Sequence, residues 1–272
     1  MRARLVGPFL WLYGRAAKTG LLEHRAPRGG FESAYLAYKR LIEAGPVGAL
    51  QSLVAPGSTV IDVGANIGFF SLKFGRWVGA AGRVIAIEPE RRNVTALHRR
   101  VRRAGLEGVV ECVNAAAAER SGQVRLAVDP VHPGAHRLAD DGDPVRAVTI
   151  DELTADDARR VALIKIDVQG AELRVLSGAR RVIETHRPAI FTEIDNDSLE
   201  QLGSSAAELV EMLDSLGYVG HTLTRRGVGP PEAPRALILR SAGSYFDALF
   251  LPEGRDKSPA RRFSAEGSSE VC

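Results

Sequence analysis

The chain has 272 residues, of which 45% are apolar and 25% charged. That profile excludes a largely disordered or collagen-like polypeptide. Two cysteines, Cys112 and Cys272, exclude a disulfide scaffold and a Cys-rich zinc module and suit a reducing, cytoplasmic setting. The net charge is +3, and residues 1–40 alone carry eight Lys/Arg against two Glu. Thirty-one of the 36 basic residues are Arg, a usage bias rather than the mark of a nucleic-acid surface.

Residues 1–45 read as an N-terminal helical, basic extension. Its apolar run from Val6 to Tyr13 is broken by Gly7 and Pro8 and lacks the features of a signal peptide. Residues 1–30 can pack on the main domain or rest on an anionic membrane surface, and Phe9, Leu10 and Trp11 leave a homo-oligomer open. No run of about 18 uncharged apolar residues occurs, so no span is expected.

Residues 46–252 read as one catalytic-size domain and 253–272 as a disordered tail. FESAYLAYKRLIEAGPVGALQSLV is one or two helices broken at Gly45-Pro46. STVIDVG is a buried strand, IGFFSLKFGRWVGA a helix, RVIAIEPE a second strand and PERRNVTALHRRVRRAG a helix opened by Pro89. VVECVNAAA is a third strand, SGQVRLAVD an added short one, and DPVHPGAHRLADDGDP a loop. VALIKIDV and PAIFTEID are further apolar strands. Between them AELRVLSGARRVIETH is helical, and SSAAELVEMLDSLGY is a Ser-capped helix ending at Gly217. YVGHTLTRR and FDALFLPE close the domain as strands around a Gly/Pro stretch and RALILRS. Alternating strands and helices predict an α/β, Rossmann-like, doubly wound and mostly parallel sheet. Its ligands bind at the carboxyl ends of the strands.

The first strand ends in IDVGANIGFF. Asp62, Gly64 and Gly68 form D-x-G-x-x-x-G, whereas a dinucleotide site prefers G-x-G-x-x-G; Asn66 stands where its middle glycine would be. A carboxylate at Asp62 suits a cationic ligand, and S-adenosyl-L-methionine carries a sulfonium and an ammonium but no phosphate. Glu88 ends the second strand, where a carboxylate accepts ribose hydroxyls. The alternatives are a helix cap for Asp62 and a surface acid for Glu88. Asn114 and Ala115 end the third strand, either beside an adenine edge or in a plain turn.

The segments VIDVGANIGFFSL, IAIEPE, TIDEL, IKIDVQGAELRVLSGA and ALFLP resemble the FkbM family of S-adenosylmethionine-dependent methyltransferases over residues 31–252. The family usually has Glu where this chain has Gln169. The resemblance implies a Rossmann-like sheet with an antiparallel last strand, and methyl transfer to hydroxyl oxygens of sugars, glycolipids or secondary metabolites. It places Asp62, Gly64, Asn66, Gly68 and Glu88 in the cofactor motifs, and Asp167, Gly170 and Glu172 in the fourth-strand motif.

Methyl transfer needs an aligned acceptor and a base within hydrogen-bond reach. Asp167 ends the fourth strand and is expected at both the cofactor and the transfer centre, although it could instead cap the following helix. Glu193 ends the fifth strand and is a second catalytic candidate beside Asp167. Lys165 shares a strand face with Asp167 and reads as the neutralising partner of a buried acid. Of His132 and His136 in loop 129–144, His136 is the candidate base. Asp167, Glu193 and Asp195 could take Mg²⁺, but the spacing does not require a metal. Six arginines on the helix after the second strand read as a solvated face, without the aromatics of an RNA surface. The expected partner is thus a small-molecule or glycan acceptor, not nucleic acid. N- or RNA methylation on the same fold and a catalytically inactive cofactor-binding scaffold are the alternatives.

Overall fold

The computed structural model describes residues 47–128, 136–224, 227–242 and 245–254. The extension 1–45, His132 and the tail beyond Gly254 lie outside the described residues.

Eight strands form the main sheet. They are β1 (Thr59–Val63), β2 (Arg83–Glu88), β3 (Val110–Asn114), β8 (Val161–Ile166), β9 (Ala189–Ile194), β10 (Tyr218–Thr224), β11 (Gly227–Glu232) and β12 (Phe246–Pro252), in the spatial order β11-β10-β12-β9-β8-β1-β2-β3. From β9 to β3 every pairing is parallel. β12 enters antiparallel between β9 and β10, as the expected antiparallel last strand. The strand order reverses between β1 and β8, which opens a crevice at their carboxyl ends.

The central strands are buried on both faces, which is why their sequences are near-continuous β-branched and aliphatic runs. Alternation sorts their side chains into two cores. Ile61, Val63, Ile164 and Ile166 meet the helices Glu172–Ser177, Arg180–His186 and Ala206–Ser215 on one face. Val60, Val84 and Leu163 meet the helices Phe69–Val78 and Arg91–Arg103 on the other. Asp62 and Lys165 are direct cross-strand partners on this second face.

Four local readings are corrected. VVECVNAAA is not one strand: the Ala115 N–H turns back to Val113 O at 3.1 Å. β4 (Ala116–Ala117) then leaves for a second sheet with β5 (Gly122–Ala127), β6 (Arg137–Leu138) and β7 (Asp143–Val148), ordered β4-β7-β5-β6. The helix expected over AELRVLSGARRVIETH is broken at Gly178, where an added Cβ would lie 2.1 Å from Ala118 O. The Gly/Pro stretch GVGPPE is the edge strand β11, the position in a sheet where proline is tolerated. Residues 48–53 form a 3₁₀ rather than an α-helix.

No helix among the described residues is long and apolar enough to cross a membrane.

Candidate active site

The loop after β1 is built around a close approach of two backbones. Gly64 has φ +71°, and a Cβ there would lie 2.0 Å from the carbonyl oxygen of Asp167. The Asp167 N–H in turn donates to Val63 O at 3.2 Å. Only glycine allows the two switch-point loops to touch in this way. Asn66, two residues on, is held at φ +49°, a left-handed conformation that Asn tolerates. Its side-chain oxygen accepts from Ile67 N at 2.7 Å and its N–H donates to Glu88 Oε2 at 2.8 Å. Arg100, on the following helix, donates to Ile67 O at 2.8 Å, so one of the six helix arginines anchors this loop.

Beneath the loop lies a buried charge cluster. Lys165 Nζ is 3.1 Å from Asp62 Oδ1 and 3.4 Å from Asp167 Oδ2. It also donates to the carbonyls of Val63 at 3.0 Å and Gly64 at 2.9 Å. Ser71 Oγ donates to Asp62 Oδ2 at 2.5 Å. Lys165 is thus the partner of a buried acid, as its spacing implied, and it bridges to Asp167 as well.

Above the loop is a cleft of about 190 Å³, open to solvent. Gly64, Asn66, Glu88, Asp167, Glu193 and His136 all line it. These six expected site residues come from the ends of β1, β2, β8 and β9 and from the small second sheet. Glu88 is buried, and burial pushes its carboxyl up to about 7 against the lowering effect of the Glu90 N–H, the Asn66 N–H and the Asn93 amide. Glu172 is buried with its Oε2 unpartnered among the described residues. Burial first, then the charges of Glu193 and Asp167, raise its carboxyl to about 8.

Four expected cofactor residues do not reach the cleft. Asp62 is wholly buried and outside the lining, because the strand alternation turns its carboxylate down onto Lys165 and Ser71. Gly68 precedes the first helix and packs toward Leu97 instead. Asn114 is exposed, and its amide donates to Glu88 O at 3.1 Å and Pro89 O at 2.9 Å. Ala115 is buried in the turn to the second sheet, and Ala116 and Ala117 line the cleft in its place. Asp195, the third acid of the Mg²⁺ alternative, accepts from Ser198 Oγ at 2.6 Å. Among the described residues no three His, Cys, Asp or Glu side chains are grouped to hold a metal ion.

Arg137 also lines the cleft and was not singled out from the sequence. Its only signal was adjacency to His136.

The donor set can be tested against ligand chemistry. Three carboxylates, from Glu88, Asp167 and Glu193, face the space beside the β1 loop. A phosphate-bearing dinucleotide would meet repulsion there. A ligand with cationic centres and vicinal hydroxyls fits, and S-adenosylmethionine is one.

Comparison with known proteins agrees. The Methyltransferase FkbM domain matches residues 62–219, more than half of the chain. Among solved structures, the FkbM methyltransferase of Methylobacillus flagellatus is 22% identical over 72% of this chain, with a TM-score of 0.47. This chain spans 44% of that protein's length. A SAM-dependent methyltransferase from Aquifex aeolicus is 16% identical over 76% of this chain and 88% of its own, with a TM-score of 0.41. The O-methyltransferase TomG of Streptomyces achromogenes, solved with SAM, is 13% identical over 77% of this chain and 80% of its own, with a TM-score of 0.43. No curated protein matches the sequence. With that domain covering the switch-point loops and the strands that carry the cleft's acids, the chain belongs to the FkbM methyltransferase family.

Proposed function

We propose that the protein methylates a hydroxyl oxygen of a sugar, glycolipid or secondary-metabolite acceptor, with S-adenosylmethionine, the expected cofactor of the family, as donor. One observation supports the reading most strongly: Glu88, Asp167, Glu193 and His136, from separate parts of the chain, line a single cleft at the strand reversal.

Glu88 would hold the ribose hydroxyls, since an ionised carboxylate accepts two hydrogen bonds. The backbone of Gly64 and Asn66 would lie against the methionine portion. Asp167 and Glu193 supply negative charge for cationic centres, and Lys165 restrains Asp167 at 3.4 Å. S-adenosylmethionine, held there, would supply the methyl group and leave as the neutral thioether. His136 would take the hydroxyl proton on an imidazole nitrogen.

The test is methyl transfer from labelled S-adenosylmethionine into a panel of hydroxylated sugars and glycolipids. Asp167→Asn is expected to lower turnover at least tenfold while S-adenosylmethionine affinity changes less than threefold. A fully active Asp167→Asn protein would remove Asp167 from the transfer centre.

A further inference from the structure

We infer that the acceptor carries an oxyanion, a phosphate or a carboxylate, and that Arg137 binds it. The inference rests on the methyl-transfer reading of the same cleft.

The cleft is acidic, with Glu88, Asp167 and Glu193 in its wall. Among the described residues Arg137 is the one Arg or Lys that lines it. It is also exposed, so it stands where the cleft meets solvent. Other arginines of the domain are engaged: Arg83 with Glu111 and Asp157, Arg100 with Ile67 O, Arg125 with Gly142 O. The Arg137 side chain has no hydrogen-bond or ion-pair partner among the described residues, although three acids share its cleft. Its guanidinium fork is available for a bidentate oxyanion.

Its place in the fold favours the acceptor over the cofactor. Arg137 pairs with Ala127 in the second sheet. The next residue, Leu138, packs in one cluster with Ala171 and Val168, on the loop that follows Asp167. Arg137 is therefore braced beside the transfer centre and adjoins His136, the candidate base. An anionic acceptor entering an acidic cleft is repelled unless a cation compensates. A neutral sugar needs no such group.

The probes are inorganic phosphate and acetate, titrated into the full chain with and without saturating S-adenosylhomocysteine. The reporter is the proton NMR signal of the His136 ring, assigned by its loss in His136→Asn. A saturable shift is expected, with half-saturation at least tenfold weaker in Arg137→Gln and S-adenosylmethionine affinity unchanged in that variant. The stronger of the two anions identifies phosphate or carboxylate. Arg99→Gln, in the basic groove of Thr95, His98, Arg99, Arg102 and Arg103, leaves the His136 response unaltered. No saturable shift, or an equal one in Arg137→Gln, overturns the inference. A tenfold loss of S-adenosylmethionine affinity in Arg137→Gln also overturns it, by assigning Arg137 to the cofactor. Failure of S-adenosylhomocysteine to bind would count against the methyl-transfer reading instead, and the cofactor-free titration still reads the anion site.

Discussion

Lys165 stands directly across from Asp62 in the pairing of β8 with β1, and its Nζ lies 3.1 Å from Asp62 Oδ1. Both side chains are buried. The same ammonium holds the carbonyls of Val63 and Gly64, so one cation fixes the loop that floors the cleft. Lys165→Met leaves a buried carboxylate unpaired and is expected to cost about 3–5 kcal/mol. Adding Asp62→Asn removes that charge and should recover part of the loss. Denaturant unfolding of the two single variants and the double variant measures the coupling, and strictly additive effects would show that the pair does not act as a unit.

Gly64 and Asp167 make a second contact between the same loops. Gly64→Ala puts a Cβ into the space of the Asp167 carbonyl and at an unfavourable φ. The expected loss is about 2 kcal/mol or more, with S-adenosylmethionine affinity falling further than stability alone explains. Thermal unfolding and calorimetry on one preparation separate the two effects.

Cofactor affinity is expected to depend on pH through Glu88. Its carboxyl titrates near 7, so it is mostly protonated at pH 6 and ionised at pH 8. The ionised form is the better acceptor for ribose hydroxyls. Affinity for S-adenosylmethionine should therefore rise roughly tenfold from pH 6 to pH 8, and Glu88→Gln should flatten that dependence at the weaker level.

Glu172 makes stability depend on pH in the opposite direction. Its folded carboxyl is raised from 4.5 to about 8. Between those values the folded state keeps a proton that the unfolded state has released, so stability falls as pH climbs through the window. Glu172→Gln imitates the protonated form. Its melting temperature relative to the parent should be a few degrees higher at pH 8 than at pH 5. An equal difference at both pH values would mean that Glu172 is ionised in the fold.

The parallel half of the sheet was legible because strands buried on both faces must be apolar throughout, as in TVIDV and VALIKI. The second sheet was harder to read. Its strand β5 was legible as the short run SGQVRLAVD, but β7 is largely exposed and no apolar run distinguishes its start from loop. The acids Glu88, Asp167 and Glu193 were legible as strand-end residues of a doubly wound fold. Asp62 was recognised, but its role was not. Whether a strand-end carboxylate points up to a ligand or down to a lysine depends on a cross-strand register that one sequence does not display. Arg137 is one of 31 arginines, and only the folded second sheet brings it into one cleft with Asp167.

The cleft above Gly64 and Glu88 is expected to bind S-adenosylmethionine. Calorimetric titration of the purified chain with S-adenosylmethionine, with NADH as the comparison and Glu88→Ala as the variant, tests it most directly. Saturable binding of S-adenosylmethionine is expected, with none of NADH and at least a tenfold loss in Glu88→Ala. A folded protein that leaves S-adenosylmethionine unbound, or binds it equally well without the Glu88 carboxylate, would contradict it.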